Sequence, residues 1–324
     1  MQKLYLITGA TGHLGTCLTA ELLRRGEHVR VLVRPGRGAL APRGAQAVEG
    51  DVARRDTLAP FFDRTGFDSV TVLHCAALVT IASKEDRRVW DVNVNGTENV
   101  MDLARQTGAE RVVYVSSVHA IPERPYGETI REVDTFSPHL VHGQYARSKA
   151  AAAQRALAHA REGLNVSIVH PSGIIGPGDH SRRNHMVRTI RAMASGRIPV
   201  SMEGGYDFVD VRDVADGILA CEEHGRAGEC YILSGHYVKV RELLSTIRRI
   251  QGKRENKIEF PHSLVRRIAP IAERLSLLAG DRSPLLTPYS VYTLHTNGRF
   301  SHEKASRTLG YRPRAIVESI RDSL

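Results

Sequence analysis

Three glycines at every third position, Gly9, Gly12 and Gly15, follow directly on the apolar run Leu4–Thr8. An amphipathic stretch, Leu14–Arg25, begins inside the glycine run. Glycine permits a tight turn and lets backbone N–H groups approach a ligand closely. A helix starting in such a turn offers partial positive charge at its N-terminus. The group that fits there is a pyrophosphate, and so a dinucleotide, held by Gly9, Thr11, Gly12, His13 and Leu14. The spacing is G-x-x-G-x-x-G rather than G-x-G-x-x-G. Three glycines alone are a weak signal; the strand before and the helix after supply the context.

The rest of the N-terminal half keeps the same rhythm. Strands are expected at Leu4–Thr8, Val29–Val33, Val70–His74, Arg111–Ser116 and Val166–His170. Several are nearly continuous apolar runs, as strands buried on both faces should be. Between them lie helical stretches, Glu85–Gln106 and Tyr145–Glu162. This predicts an α/β fold, a doubly wound parallel sheet of Rossmann type. After about Pro177 the rhythm breaks, and helices are expected at Met186–Ser195, Val211–Glu222 and Val240–Gln251. The division expected is a dinucleotide-binding part, 1–176 with 207–235 returning to it, and a smaller, mostly helical substrate region, 177–206 and 236–324.

Arg34 stands where the second strand ends, with Arg37 close behind and no acidic residue at the strand end. An acid there suits a free ribose 2′-hydroxyl, whereas arginine suits a 2′-phosphate. The cofactor expected is therefore NADP(H), with NAD(H) as the alternative.

Tyr145 and Lys149 form a Tyr-x-x-x-Lys pair inside a helical stretch, and positions i and i+4 share a helix face. Ser116 and Ser117 close the strand RVVYVSS. Ligands in open α/β sheets sit at the carboxyl ends of the strands. These polar groups could converge beside a nicotinamide.

With these pieces the chain resembles the extended short-chain dehydrogenase/reductases, the family that also holds nucleotide-sugar epimerases and dehydratases. The motifs are TGATGHLG (8–15), GD (50–51), HCAA (74–77), NVNGTENV (93–100), YVSS (114–117) and YARSK (145–149). HPSGIIGPGD (170–179), DFVDVRDVADG (207–217) and KASRTLGYRP (304–313) follow. Within the family the likeness is to the dihydroflavonol reductase and 3β-hydroxysteroid dehydrogenase branch. The resemblance implies that Tyr145 is the acid/base, that Lys149 lowers its pKa and bonds the nicotinamide ribose, and that Ser117 holds the substrate oxygen, with Ser116 the alternative. It implies that Asn95 supports the helix or water path behind Lys149. Asp51 and Val52 would meet the adenine, Ala76 and Ala77 the adenosine ribose, and Pro171, Ser172, Gly173 and Ile174 the nicotinamide. Asp51 could equally be a turn residue. Asp213 is expected near a helix N-terminus. Nucleotide-sugar members often carry arginine before the Asp-Phe of DFVDV, where this chain has Tyr206.

The function implied is hydride transfer between NADPH and a ketone or secondary alcohol, on a bulky apolar substrate. An NAD-dependent nucleotide-sugar epimerase or dehydratase is the alternative, and a non-enzymatic dinucleotide-binding sensor a third reading. A homodimer is implied too, pairing through the Glu85–Gln106 and Tyr145–Glu162 helices with Ala151, Ala152, Ala156 and Ala160 allowing close packing. The loop carrying His119, Tyr126 and Phe136 is expected to shape the pocket.

Composition sets the remaining bounds. The net charge is +10, yet the arginines are scattered with no aromatic-interleaved patch, so no nucleic-acid partner is expected. No signal peptide opens the chain, no run is long enough to span a membrane, and a cytoplasmic protein is expected. The four cysteines, Cys17, Cys75, Cys221 and Cys230, are far apart and read as reduced thiols. His180 with His185, or His139 with His142, join no carboxylate or cysteine motif, so no metal is expected. The segment Phe260–Pro288 is apolar, proline-bounded and dotted with arginine. It reads as a lid over an apolar pocket, as an interfacial membrane helix, or as an ordinary core helix.

Overall fold

The computed structural model describes residues 2–180, 184–281 and 284–324. Seven parallel strands form the central sheet. From edge to edge they are Cys230–Leu233, Val166–Pro171, Arg111–Val115, Ser69–His74, Lys3–Thr8, His28–Val33 and Gln46–Glu49. The chain order reverses between Lys3–Thr8 and Ser69–His74, so a crevice opens at their carboxyl ends.

Alternation along each strand divides the core between two faces. Leu4 and Leu6 pack with Tyr114, Ile168, Ala153 and Ala156 on one face. Tyr5 and Ile7 pack with Leu18, Val31, Val214 and Ile218 on the other. Each such fully buried Val, Leu or Ile contributes about 1.5–3 kcal/mol. The Val211–His224 helix thus returns to the sheet beside the first helix, His13–Arg24, and leads into the Cys230–Leu233 strand. Its N-cap is Asp210, whose side chain accepts from the Arg212 N–H. Asp213 sits in the first turn and accepts from the Arg314 backbone and side chain, each at 2.8 Å.

The five expected strands are present with ends within one residue. Two sheet strands were not foreseen. Gln46–Glu49 is an exposed edge strand with only one half-buried residue, so it lacks a strong apolar signal. Cys230–Leu233 is four residues long. The stretch expected as one helix over 85–106 is three pieces: Arg87–Trp90, a π-helical turn at Asp91–Asn95, and Gly96–Gln106.

A second, three-stranded sheet joins Gly173–Ile175, Gly205–Asp210 and His236–Lys239. With the helices His185–Ala194 and Val240–Ile250 it encloses a separate core around Ile190, Phe208, Leu243 and Ile247. Among the described residues no helix is long and apolar enough to cross a membrane.

Candidate active site

The glycine turn is built for close approach. Gly9 has φ +73°, and a Cβ there would lie 2.7 Å from the Ala76 nitrogen. A Cβ on Gly15 would lie 2.2 Å from the Gly9 carbonyl oxygen, which locks helix to strand. Gly12 is the helix N-cap, and its N–H donates to Gly9 at 3.0 Å. Thr11 is half-buried, and Leu14 packs into the core. This bare backbone at a helix start fits a pyrophosphate. His13 is tied elsewhere: Asn184 donates to its Nδ1 at 2.9 Å, so its Nε2–H donates to the Pro177 carbonyl at 2.7 Å. Asn184 also donates to Ile174 at 2.8 Å and caps the His185–Ala194 helix. One side chain from the glycine motif thereby ties Pro177 and Asn184 to the first helix.

Arg34 and Arg37 lie exposed just past the second strand. Neither guanidinium forms an ion pair or hydrogen bond among the described residues. Asp51 accepts from the Ala53 N–H at 2.9 Å, the turn bond its residue type favours. Val52 is buried beneath Gly96, and its carbonyl accepts from Asn99 at 2.8 Å. Ala76, where the fourth strand ends, donates to Thr8 at 3.1 Å, with Ala77 half-buried beside it. Pro171, Ser172 and Gly173 are buried and Ile174 half-buried at the mouth of the second sheet. A Cβ on Gly173 would lie 2.6 Å from the Tyr206 ring.

Tyr145 and Lys149 share one face of the Gln144–Arg161 helix. Burial pushes the Tyr145 phenol up to about 12, with the Ser117 hydroxyl pulling the other way. Lys149 is buried, and burial pulls its amine down to about 7. Its ammonium donates to the Val115 carbonyl at 2.7 Å and to the Tyr114 hydroxyl at 3.1 Å. Ser117 lies directly beyond that strand. It is buried, its Oγ accepts from the His119 N–H at 3.2 Å, and its carbonyl accepts from His170 Nδ1 at 3.0 Å. Ser116 is buried as well.

The expected support from Asn95 is corrected. Asn95 is exposed and donates only to Asp91, at 3.3 Å. Asn93 is the buried asparagine. It accepts from the Leu78 N–H at 2.7 Å and donates to the Leu78 carbonyl at 3.0 Å and to Ser148 at 2.9 Å. Ser148 adjoins Lys149 and donates to the Tyr145 carbonyl at 2.7 Å. Both asparagines lie in the π-helical turn, two residues apart and so on roughly opposite faces, and Asn93 is the one turned inward. The Asn93 carbonyl accepts from Thr97, which receives the Nε2–H of His74 at 3.0 Å. His74 in turn accepts from Thr8 at 2.7 Å. Thr8 takes the Ala76 N–H, so its one proton goes to His74 Nδ1 and fixes the ring tautomer. A buried polar chain therefore runs from the glycine-turn strand to the Tyr145 helix.

Tyr145 lines a cleft of about 490 Å³, with Thr80, Gln144, Arg147, Tyr289 and Tyr292 among the other walls. His119 shares a 2.5 Å hydrogen bond with Tyr206, and its ring lies 6.1 Å from those of Tyr145 and Tyr289. Tyr289 lies flat on Gly143, where a Cβ would meet its ring at 2.3 Å. Gly143, at φ +90°, is the N-cap of the Tyr145 helix. Tyr206 stands at the position before the Asp-Phe of DFVDV, whereas Tyr289 and Tyr292 carry no motif, so sequence reasoning did not assign them to the pocket. Of the three loop residues expected there, His119 is at the site. Tyr126 is exposed and donates to the His295 carbonyl, while Phe136 stacks on His170 in the core.

The segment 260–288 contains the helix His262–Leu278; Arg282 and Ser283 lie outside the described residues. Among the described residues it borders the cleft through His262, Arg266 and Pro288. The alanines expected between subunits are largely spent within the chain: Ala152 and Ala156 are fully buried in the core. All four cysteines are free. Of the histidines weighed as ligands, His142 packs its ring against Tyr292, with centroids 4.2 Å apart and planes tilted by 43°. One cluster among the described residues has ligand-like spacing, Glu98, Asp102 and His159. Arg55, Arg105 and Arg155 already pair with its carboxylates.

With that geometry in place, the comparisons decide the kinship. The model of the NAD dependent epimerase/dehydratase family matches residues 5–234. The chain belongs to this family. "Sterol demethylase protein B" of Methylococcus capsulatus is 33% identical over 98% of this chain and 96% of its own length. A "3 beta-hydroxysteroid dehydrogenase/Delta 5-->4-isomerase" of Mycobacterium tuberculosis is 28% identical over 95% of this chain and 85% of its own length. The crystal structure of a protein called gox2253 is 32% identical, with a TM-score of 0.83 over 99% of this chain and 96% of that one. The family member is an extended short-chain oxidoreductase of the reductase and 3β-hydroxysteroid dehydrogenase branch, and its cofactor is NAD(P).

Proposed function

We propose that this family member reduces a ketone to a secondary alcohol, or the reverse, with NADP(H) and a bulky, ring-bearing substrate. The observation that carries the reading is Tyr145, whose ring borders the cleft while its helix is anchored to the strand ending at Ser117. A reduced dinucleotide held on the Gly9–Gly15 turn would supply the hydride that the carbonyl carbon takes. Tyr145 gives its phenolic proton to the carbonyl oxygen, so the C=O becomes CH–OH. The Ser117 hydroxyl bonds the same oxygen and orients it. Lys149 steadies the phenolate left behind through its positive charge.

A phenol held near 12 is protonated at neutral pH, which suits donation and so reduction. Alcohol oxidation needs the phenolate and gains with rising pH. Arg34 and Arg37, free beyond the second strand, support the 2′-phosphate of NADP. The aromatic walls Tyr289, Tyr292 and His142 support a ring-bearing substrate, as do the printed names of the sterol and hydroxysteroid relatives. The division of labour in this reading gives 1–176 and 207–235 to the dinucleotide, and 177–206 and 236–324 to the substrate.

The test is NADPH-dependent reduction of a panel of polycyclic ketones by the wild type and by Tyr145→Phe. Turnover should fall about 100- to 10,000-fold in the variant with NADPH binding kept. A fully active variant contradicts the assignment.

A further inference from the structure

The helix His262–Leu278 uses one face to hold itself to the protein and leaves another without a partner. Val265 and Ala269 are buried, and Glu273, also buried, accepts from the Ser83 N–H at 2.9 Å and its hydroxyl at 2.7 Å. On a different side lie Leu264, Ile268, Ile271, Leu275 and Leu278, each between 41% and 77% exposed. At 100° per residue these five fall within an arc of about 80°. They form an apolar stripe along the helix, clear of the face that packs.

The stripe has a charged border of one sign. On the same wheel Arg267 and Arg274 run along its outer edge, about 60° and 80° from Leu264. Lys257 is exposed ahead of the helix, and Arg266 is exposed on the side opposite the stripe. None of these four cations forms an ion pair among the described residues. The carboxylates near the helix ends are already engaged: Glu259 with Arg241 at 4.0 Å and Asp281 with Arg188 at 3.7 Å. Phe260, just before the helix, adds another exposed ring.

We propose that this face docks the protein on an anionic lipid bilayer, with the stripe in the headgroup–acyl boundary and the arginines on lipid phosphates. An exposed apolar stripe beside unpaired cations is the composition of a helix lying in a membrane interface. The partner is argued from charge. A lipid surface presents both the apolar layer and the anions that Arg267 and Arg274 lack. The docking does not depend on what the cleft accepts. His262 and Arg266, which line the cleft, lie on the opposite side of the helix from the stripe, so docking leaves the cleft clear of the bilayer.

The test is co-sedimentation of the full chain with vesicles of phosphatidylcholine containing phosphatidylglycerol, and with vesicles of phosphatidylcholine alone. Two double variants are compared, Ile271→Glu with Leu275→Glu, and Arg267→Glu with Arg274→Glu. All four positions are on the surface and outside the catalytic machinery, and the second pair guards against any folding defect in the first. The expected result is binding to the anionic vesicles that weakens with salt and falls about tenfold or more in each variant, with unchanged melting temperature and NADPH binding. Wild-type protein left in the supernatant, or variants that bind equally well, overturns the proposal. A wild-type dimer that becomes monomeric with Ile271→Glu and Leu275→Glu, without vesicle binding, overturns it in favour of a second copy of the chain.

Discussion

The Lys149 ammonium donates to the carbonyl of Val115 at 2.7 Å, so the side chain one turn beyond Tyr145 ties its helix to the strand that ends at Ser117. The same side chain is buried, and its amine is pulled down to about 7. One residue thus ties the helix of the proposed proton donor to the sheet.

Lys149 therefore gives stability a pH signature. Its ordinary value is 10.5, and the folded value is near 7. Between the two the unfolded chain holds a proton that the folded chain has lost, so stability rises with pH across this window. Lys149→Met has no such proton. The stability of the wild type relative to this variant should fall as pH drops from about 10 to about 7, by up to about 1.4 kcal/mol per pH unit. Urea denaturation of both proteins along the pH series checks it, and parallel curves contradict it.

Asn93, rather than Asn95, should prove critical. Asn93→Ala leaves the Leu78 backbone groups without partners in a buried place. It should cost about 1–3 kcal/mol and lower kcat by loosening the helix of Tyr145. Asn95→Ala should stay within about 0.5 kcal/mol of the wild type. Thermal melts and steady-state rates of the two variants separate these outcomes.

The glycines should divide between fold and cofactor. A Cβ at Gly15 would stand 2.2 Å from the Gly9 carbonyl oxygen, whereas one at Gly12 would stand 3.3 Å away. Gly15→Ala should lower the melting temperature sharply and abolish cofactor binding. Gly12→Ala should keep the fold and weaken the dinucleotide through the lost approach of the backbone. Calorimetry with NADPH on both variants reads the difference.

Five strands of the sheet were legible because burial on both faces writes a nearly unbroken apolar run, as in Val70–His74. Gln46–Glu49 was not, because an edge strand needs no such run. The Tyr145–Lys149 pair was legible because helix periodicity converts spacing into a shared face. Asn93 was not, because the family resemblance points to Asn95 for the role, and the inward turn of Asn93 depends on its packing against Leu78 and Ser148. Tyr289 and Tyr292 reach the cleft from a distant segment through tertiary packing alone. The amphipathic character of His262–Leu278 was visible in its residues. Which side would be buried depended on where Glu273 found Ser83.

The most direct test of the proposed function is a parallel titration of the wild type and Arg34→Ala with NADPH and NADH, followed by reduced-nicotinamide fluorescence. The wild type should bind NADPH more tightly, and Arg34→Ala should lose about ten- to a hundredfold of that affinity with NADH binding unchanged, as expected for a charged hydrogen bond to phosphate. Equal or tighter binding of NADH by the wild type, or a variant with its preference intact, would contradict the assignment of Arg34 and of NADP as the cofactor.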